Sequence, residues 1–546
     1  MSWSRFRLSA AISLSLLTGT WLGACCAPAT AQAAIGEASV GDSEDFAQAG
    51  QPPAPLTDAV DEEQPVPFAL PGTKRQAQVA PVPSAAAGTI SAPTTVAPVN
   101  PPAAETNASV DYDPSASSCT DAGCTAAPTC TSEPTCTSEP YCDTCGPSGC
   151  ELECPEPEDP WRLFGHCCCL KDHGLDIRGW AAGGIFTNFD TPASNFNGPV
   201  TFNDRDAEFQ LNQLYMIGEK TIDTSESGWD LGGRVDLLYG TDYRYNIARG
   251  FSARDNFTSK WESGRFYGLD VPQFYGELGV QDLSVKVGRF YTIIGFQVVT
   301  APDNFFYSIP YTFQYGEPFT HTGALATWTP NEQLSLMAGV TNGWDNFEDV
   351  LGHQSLLYGA TFTSSDSHDK LAFAMHIGKD ETTFGNPDGN LGQRWVYSVV
   401  YTRVITDRLS YVAQHDNGRQ DNYNNTGEVG HWYGVNQYLF YKINCCWTAG
   451  LRAEWFRDDD GFRVAAPGDY AALGMSNNPA SAGGWAGNFY DVALGLNWKP
   501  TSNLTVRPEI RYDWYDGPDN AGGNEPFEDG ADNQQWLAGF DIIYLY

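Results

Sequence analysis

Reactive side chains concentrate in one stretch of the chain. Cys119, Cys124, Cys130, Cys136, Cys142, Cys145, Cys150 and Cys154 follow one another at short intervals, and Cys167, Cys168 and Cys169 form a triplet. The run Cys-Thr-Ser-Glu-Pro starts at Cys130 and again at Cys136. Outside the cytoplasm such spacing reads as disulfide stapling of a segment that has no core, bonds between chains included. Metal binding is the competing chemistry, because Cys142-x-x-Cys145 has ligand spacing. No second well-spaced pair accompanies it, and the nearby imidazoles are His166 and His173. No metal site is therefore expected.

Catalytic constellations are missing. The sequence has no G-x-S-x-G elbow, no H-E-x-x-H and no P-loop. Its eight His are scattered, with His376 and His415 on expected strands. Asp458-Asp459-Asp460 and the group Asp513, Asp516, Asp519, Glu525, Glu528, Asp529 and Asp532 offer carboxylates for Ca²⁺, but neither has EF-hand spacing. They read as solvated acidic loops. Neither an enzyme nor a cofactor is expected. The 546 residues carry 30 Lys+Arg against 67 Asp+Glu, a net charge of −37, which argues against nucleic acid as a partner. At 13 % aromatic the chain is too rich in rings for a disordered polyanion.

The elements that position these residues begin with a leader. Arg5 and Arg7 precede the mostly apolar run Leu8 to Leu22, the order of a secretory signal peptide over residues 1–33. Two processing sites compete: Ala31-Gln32-Ala33, and a lipobox-like Leu22-Gly23-Ala24-Cys25 that would leave Cys25 acylated. Residues 34–118, rich in Ala, Pro, Val, Thr and Gln, read as a disordered linker, because they bury too little to offset their ordering entropy. The Cys-rich segment, 119–174, is expected in the periplasm.

From residue 175 the texture changes to strands of about ten residues with a period of two. Leu504, Val506, Pro508, Ile510, Tyr512 and Trp514 share one face, with Thr505, Arg507, Glu509, Arg511 and Asp513 on the other. Tyr490 to Trp498 and Trp447 to Trp455 repeat the split, with aromatics near the ends of each apolar face. That is the layout of a lipid-facing band between aromatic girdles. About sixteen such segments run from 175–186 to 534–546, the fourth at 271–280 and the fifth at 283–290. Tight connections such as Gln281-Asp282 and Thr406-Asp407 alternate with long excursions such as 241–270 and 457–487. Short turns on the periplasmic side put both ends of the barrel there. In hydrocarbon each unpaired N–H or C=O costs several kcal/mol, so a spanning sheet must close on itself. The expected fold is all-β: a closed antiparallel transmembrane barrel over residues 175–546. Pro508 sits mid-strand, where a bulge or local break is expected. The last strand places Trp536, Ala538, Phe540, Ile542, Tyr544 and Tyr546 at alternate positions up to the terminus, and this resembles the C-terminal assembly signal of bacterial outer-membrane proteins.

Within this layout, Val287-Gly288-Arg289-Phe290-Tyr291 followed by Ile294-Gly295-Phe296 resembles the OmpL-like β-barrel porin family, found in planctomycete-type bacteria. The resemblance covers the C-terminal two-thirds and implies an outer-membrane pore without naming a solute. General porins fold the connection after strand five into the lumen. Here that connection, Tyr291 to Phe319, is crowded with rings and carries two formal charges, Asp303 and Glu317. We expect it to fold inward as a constriction, its acids facing wall cations among Arg234, Lys286, Arg452, Arg507 and Arg511. Passive diffusion of small hydrophilic solutes is the expected function. The expected partners are outer-membrane lipid, those solutes and disulfide-linked envelope partners, with a homo-trimer left open. The rival expectations are an outer-membrane anchor cross-linked through the Cys-rich arm and a secreted β-sandwich binding protein.

Overall fold

The computed structural model describes residues 159–546 apart from 166–169, 171–172, 226, 254–258, 265, 349–352, 382–390, 424–426 and 465–483. The expected leader, Cys25, the linker and the cysteines from Cys119 to Cys169 lie outside the described residues.

Strict alternation becomes sixteen spans. They are β1 Asp176–Asn188, β2 Gln210–Lys220, β3 Trp229–Gly240, β4 in two segments (Gly268–Asp270 and Phe274–Val280), β5 Leu283–Tyr291, β6 Thr320–Asn331, β7 Leu334–Thr341 and β8 Ser355–Thr363. The second half comprises β9 Asp369–Glu381, β10 Leu391–Thr406, β11 Leu409–Asp421, β12 Val429–Lys442, β13 Trp447–Asp458, β14 Gly487–Thr501, β15 Leu504–Asp516 and β16 Gln534–Leu545. Both segments of β4 pair with β3, so they are one strand interrupted at Val271-Pro272-Gln273, where Pro272 has no N–H to give. Every neighbour is antiparallel, and β1 pairs with β16 from Trp180↔Leu545 to Asn188↔Leu537, which closes the sheet. Among the described residues no helix is long and apolar enough to cross a membrane.

Charge and grease are reversed relative to a water-soluble protein. Leu494 is 55 % exposed and Val287 60 %, while Arg452, Asp491, Arg511 and Asp513 on the opposite faces are fully buried. A secreted sandwich would hide the first set and show the second, and would keep open edges. Closure and this inversion exclude it. Rings stack in bands at the rims of the outer surface, as in Trp447–Trp498, Tyr490–Trp514 and Tyr512–Trp536, with centroids 5.7, 4.8 and 4.5 Å apart.

Two irregularities have local causes. Opposite Pro508 the β14–β15 ladder omits Leu496 and Asn497, resumes at Trp498↔Val506 and slips by one residue before Thr501↔Leu504 at the turn, while Pro508 still pairs with Phe540 on β16. At Pro508 the missing donor breaks the ladder without a bulge. A true bulge lies in β2, where the register against β1 shifts between Ala182↔Gln213 and Gly183↔Leu211. The extra residue, Asn212, turns inward beside Gln213, and both side chains are buried.

Candidate functional site

The 292–319 connection leaves β5, crosses the barrel interior and returns to β6. Its main chain is held by wall side chains from far along the sequence. Arg452 on β13 donates to the Ser308 carbonyl at 2.8 Å; Arg507 on β15 donates to the Ala301 and Asn304 carbonyls at 3.0 and 2.6 Å; Arg511 donates to the Ile309 carbonyl at 2.7 Å. Carboxylates take the N–H groups: Glu509 those of Tyr307 and Ser308 at 2.9 and 3.1 Å, and Glu454 those of Tyr311 and Thr312 at 2.7 and 2.6 Å. The last pair feeds a five-residue π-turn, Thr312–Gly316. On the opposite wall the β2 bulge supplies Gln213, whose amide holds Val299 O and Ala301 N at 2.7 and 3.1 Å, and Asn212, which receives the Tyr307 hydroxyl at 3.0 Å. Each hydrogen bond to a charged group contributes on the order of 1.5–3 kcal/mol. Phe305 and Phe306 pack on Phe440 and Tyr438, which satisfies the rings that looked out of place on an exposed loop.

The wall cations are matched among themselves. Arg452 pairs with Asp491 at 2.9 Å, Arg507 with Asp541 at 2.6 Å and Arg511 with Asp513 at 2.6 Å. Arg234 on β3 pairs with Asp236 at 2.7 Å. The loop acids make no ion pair with any of them. Asp303 accepts the Thr300 hydroxyl at 2.6 Å, and burial raises its pKa. Glu317 is buried against β11, accepting the Gln414 amide at 2.6 Å. So Arg452, Arg507 and Arg511 grip the loop's carbonyls where its carboxylates were expected, while Arg234 and Lys286 face a different space.

That space is a cavity of 540 Å³ between the loop and the β1–β6 wall. Arg178, Arg234 and Lys286 line it with Glu219, Glu277 and Asp303, together with Trp180, Tyr275 and Tyr291. The Lys286 ammonium lies 4.9 Å from the centre of the Tyr275 ring and makes no ion pair. Pro160, Trp161 and Arg162 form part of the rim. Trp161 is tied to the β14–β15 turn through both its N–H and its carbonyl, at 2.9 and 2.8 Å from the Asn503 side chain.

Phe540, Ile542 and Tyr544 face outward and are 43–46 % exposed. Tyr546 bonds Gly179 through its main chain and donates its hydroxyl to Tyr215 O at 2.9 Å. Cys445, in the β12–β13 turn, is disulfide-bonded, and the adjacent Cys446 is an exposed free thiol. Among the described residues no cluster of three or more metal-ligating side chains occurs.

Glu454 and Glu509 were legible, since they alternate with Arg452 and Arg511 on inward faces. Asn212 and Gln213 were not, because a strict two-residue period cannot put neighbours on one side.

A closed barrel, greasy outside and charged within, with short turns at one rim and long loops at the other, is an outer-membrane channel of the porin type. The family described as putative beta-barrel porin-2, OmpL-like, matches residues 174–546, and the chain belongs to it. No curated protein matches. Among solved structures it is similar to OprB of Pseudomonas putida at high pH (14 % identity, TM-score 0.47, covering 71 % of this chain and 99 % of that one). It is also similar to the outer-membrane channel DcaP of Acinetobacter baumannii (11 %, 0.44, 71 % and 100 %) and to trimeric OmpT of Vibrio cholerae (13 %, 0.43, 68 % and 99 %). These are likenesses of fold and say nothing about solutes.

Proposed function

We propose that the protein is a passive diffusion channel for small hydrophilic solutes, with the 292–319 connection as its constriction. The observation that carries this is the 540 Å³ cavity beside the loop, lined in part by charged side chains of both signs, inside a wall whose outer face suits lipid. Asp303 on the loop faces a wall that carries Arg178, Arg234 and Lys286 alongside Glu219 and Glu277. The field of such charges orders water and sorts solutes by charge and dipole. Translocation needs no covalent chemistry. Planar-bilayer recording of the purified chain tests this: steps of ohmic conductance are expected, and Asp303→Asn should shift the reversal potential in a salt gradient toward anions. Unchanged selectivity in a conducting channel would reject the field, and absence of conductance would reject the channel. Assembly as a homo-trimer fits the same proposal and is read by cross-linking in detergent.

A second reading, an anchor tied to envelope partners through a periplasmic Cys-rich arm, draws on the run of cysteines from Cys119 to Cys169. Deleting residues 34–158 separates the two. Loss of envelope cohesion with conductance intact would divide the roles between arm and barrel.

A further inference from the structure

The inward loop ends on a pair of carboxyl groups. Glu317, three residues before β6, and Asp416, on the inner face of β11, are both buried and close enough for the charge of one to act on the other. Gln414 bridges them, its amide nitrogen 2.6 Å from Glu317 Oε1 and 2.9 Å from Asp416 Oδ1. The Ser398 hydroxyl donates to the same Asp416 oxygen. The other two oxygens, Glu317 Oε2 and Asp416 Oδ2, find no donor on any neighbouring side chain or main chain. Two ionised carboxylates in that position would repel each other and leave both atoms unsatisfied, at a cost of several kcal/mol each. One proton shared by the two carboxyl groups removes the repulsion and lets one donate to the other.

We propose that Glu317 and Asp416 share a single proton, and that this proton latches the constriction loop to the β10–β12 wall. The latch presupposes the inward-loop channel proposed above and adds a control on it. Gly295 belongs to the same device: its φ is +88°, and a Cβ there would lie 2.1 Å from Glu317 Oε2, so only glycine leaves room for the carboxyl.

The charged surroundings favour the protonated form. From β13, Glu454 adds a further negative charge; on β11, His415 points outward; on β10, Arg394 lies over the Trp344 ring; and Arg463 lies over Trp344 and Trp432. Arg394 also donates to Gln420 Oε1, and Arg463 to the Tyr315 carbonyl at 2.6 Å. Burial first, and the Asp416 charge second, hold the Glu317 carboxyl well above its ordinary range. A loop swung free into water would return it to about 4.3. The sign follows: the closed loop binds the proton more tightly, so closure is favoured at low pH and weakens as pH rises through the closed-state value.

The test uses the full chain in planar bilayers, from pH 5 to pH 10 in the same salt. The latch predicts a rise in conductance and open-channel noise toward alkaline pH. Glu317→Gln, whose amide donates permanently, should keep the low-conductance state and lose the pH dependence. A flat profile for the unaltered channel, or an unchanged profile in Glu317→Gln, would overturn the latch while leaving the channel intact. Infrared spectra of the folded protein in detergent give an answer without conduction. A carboxylic-acid C=O band at neutral pH that disappears in Glu317→Gln supports the shared proton, and its absence contradicts it. A profile that responds to Ca²⁺ and EDTA in place of pH would also contradict it, assigning the site to a cation.

Discussion

The Arg452 guanidinium donates to both the carbonyl and the hydroxyl of Ser308 at 2.8 Å, while Glu509 accepts the N–H of the same residue at 3.1 Å. One residue of the inward loop is thus gripped at both its N–H and its carbonyl by side chains of two wall strands, β13 and β15. The grip depends on charges that are themselves buried, since Arg452 also holds Asp491 at 2.9 Å.

Replacing Arg452 with Met removes the grip and leaves Asp491 with Arg511 at 3.6 Å as its remaining cation. Breaking such a buried pair costs about 3–5 kcal/mol. We expect Arg452→Met to lower the midpoint of denaturant unfolding in detergent and to make single-channel currents noisier. A variant as quiet and as stable as the parent would show that the loop is held elsewhere.

Glu454→Gln tests the other end of the loop. The amide keeps one acceptor oxygen but turns an N–H donor toward one of the two N–H groups, those of Tyr311 and Thr312, that the two carboxyl oxygens accept. About 1–3 kcal/mol of local stability should go, the scale of leaving one buried N–H without an acceptor. Amide exchange at residues 311–316 should quicken while strand amides stay protected.

Selectivity should depend on Asp303 through pH. Burial holds its pKa above the ordinary carboxylate value, so its charge is present at high pH and disappears as pH falls through that raised value. Cation preference in a salt gradient should decline with acidification at a higher pH than a solvated Asp would give. Asp303→Asn should abolish the change.

The lipid face makes an independent prediction. Leu494→Arg, midway along β14, should cost about 2–4 kcal/mol in bilayer refolding, the scale for a cation near the midplane. Arg at Asn497, on the inner face of the same strand, should cost far less, and equal costs would contradict the assignment of the two faces.

Most of the barrel was legible because a lipid-facing wall enforces a two-residue period that nothing in a loop imitates. The segments 334–341, 355–363 and 504–516 coincide with β7, β8 and β15. The alternation predicts the fourth span as one run from 271, whereas Pro272 splits it and its first segment starts at Gly268. The site was only half legible. That Arg234, Lys286, Arg452, Arg507 and Arg511 turn inward follows from the period alone. Which of them meet loop carbonyls and which line the cavity depends on how the loop crosses the lumen, and no local pattern encodes that path. Glu317 stands out in sequence as a constriction acid expected to face a wall cation, but its neighbour is the carboxyl of Asp416, 99 residues on, which comes beside it only when the barrel closes.

Solute-induced swelling of liposomes carrying the purified, folded barrel tests the central claim most directly. A water-filled passage narrowed by the 292–319 loop predicts swelling with small sugars and amino acids, at rates that fall steeply with solute size. Vesicles that contain the inserted barrel and yet fail to swell with any polar solute would contradict it.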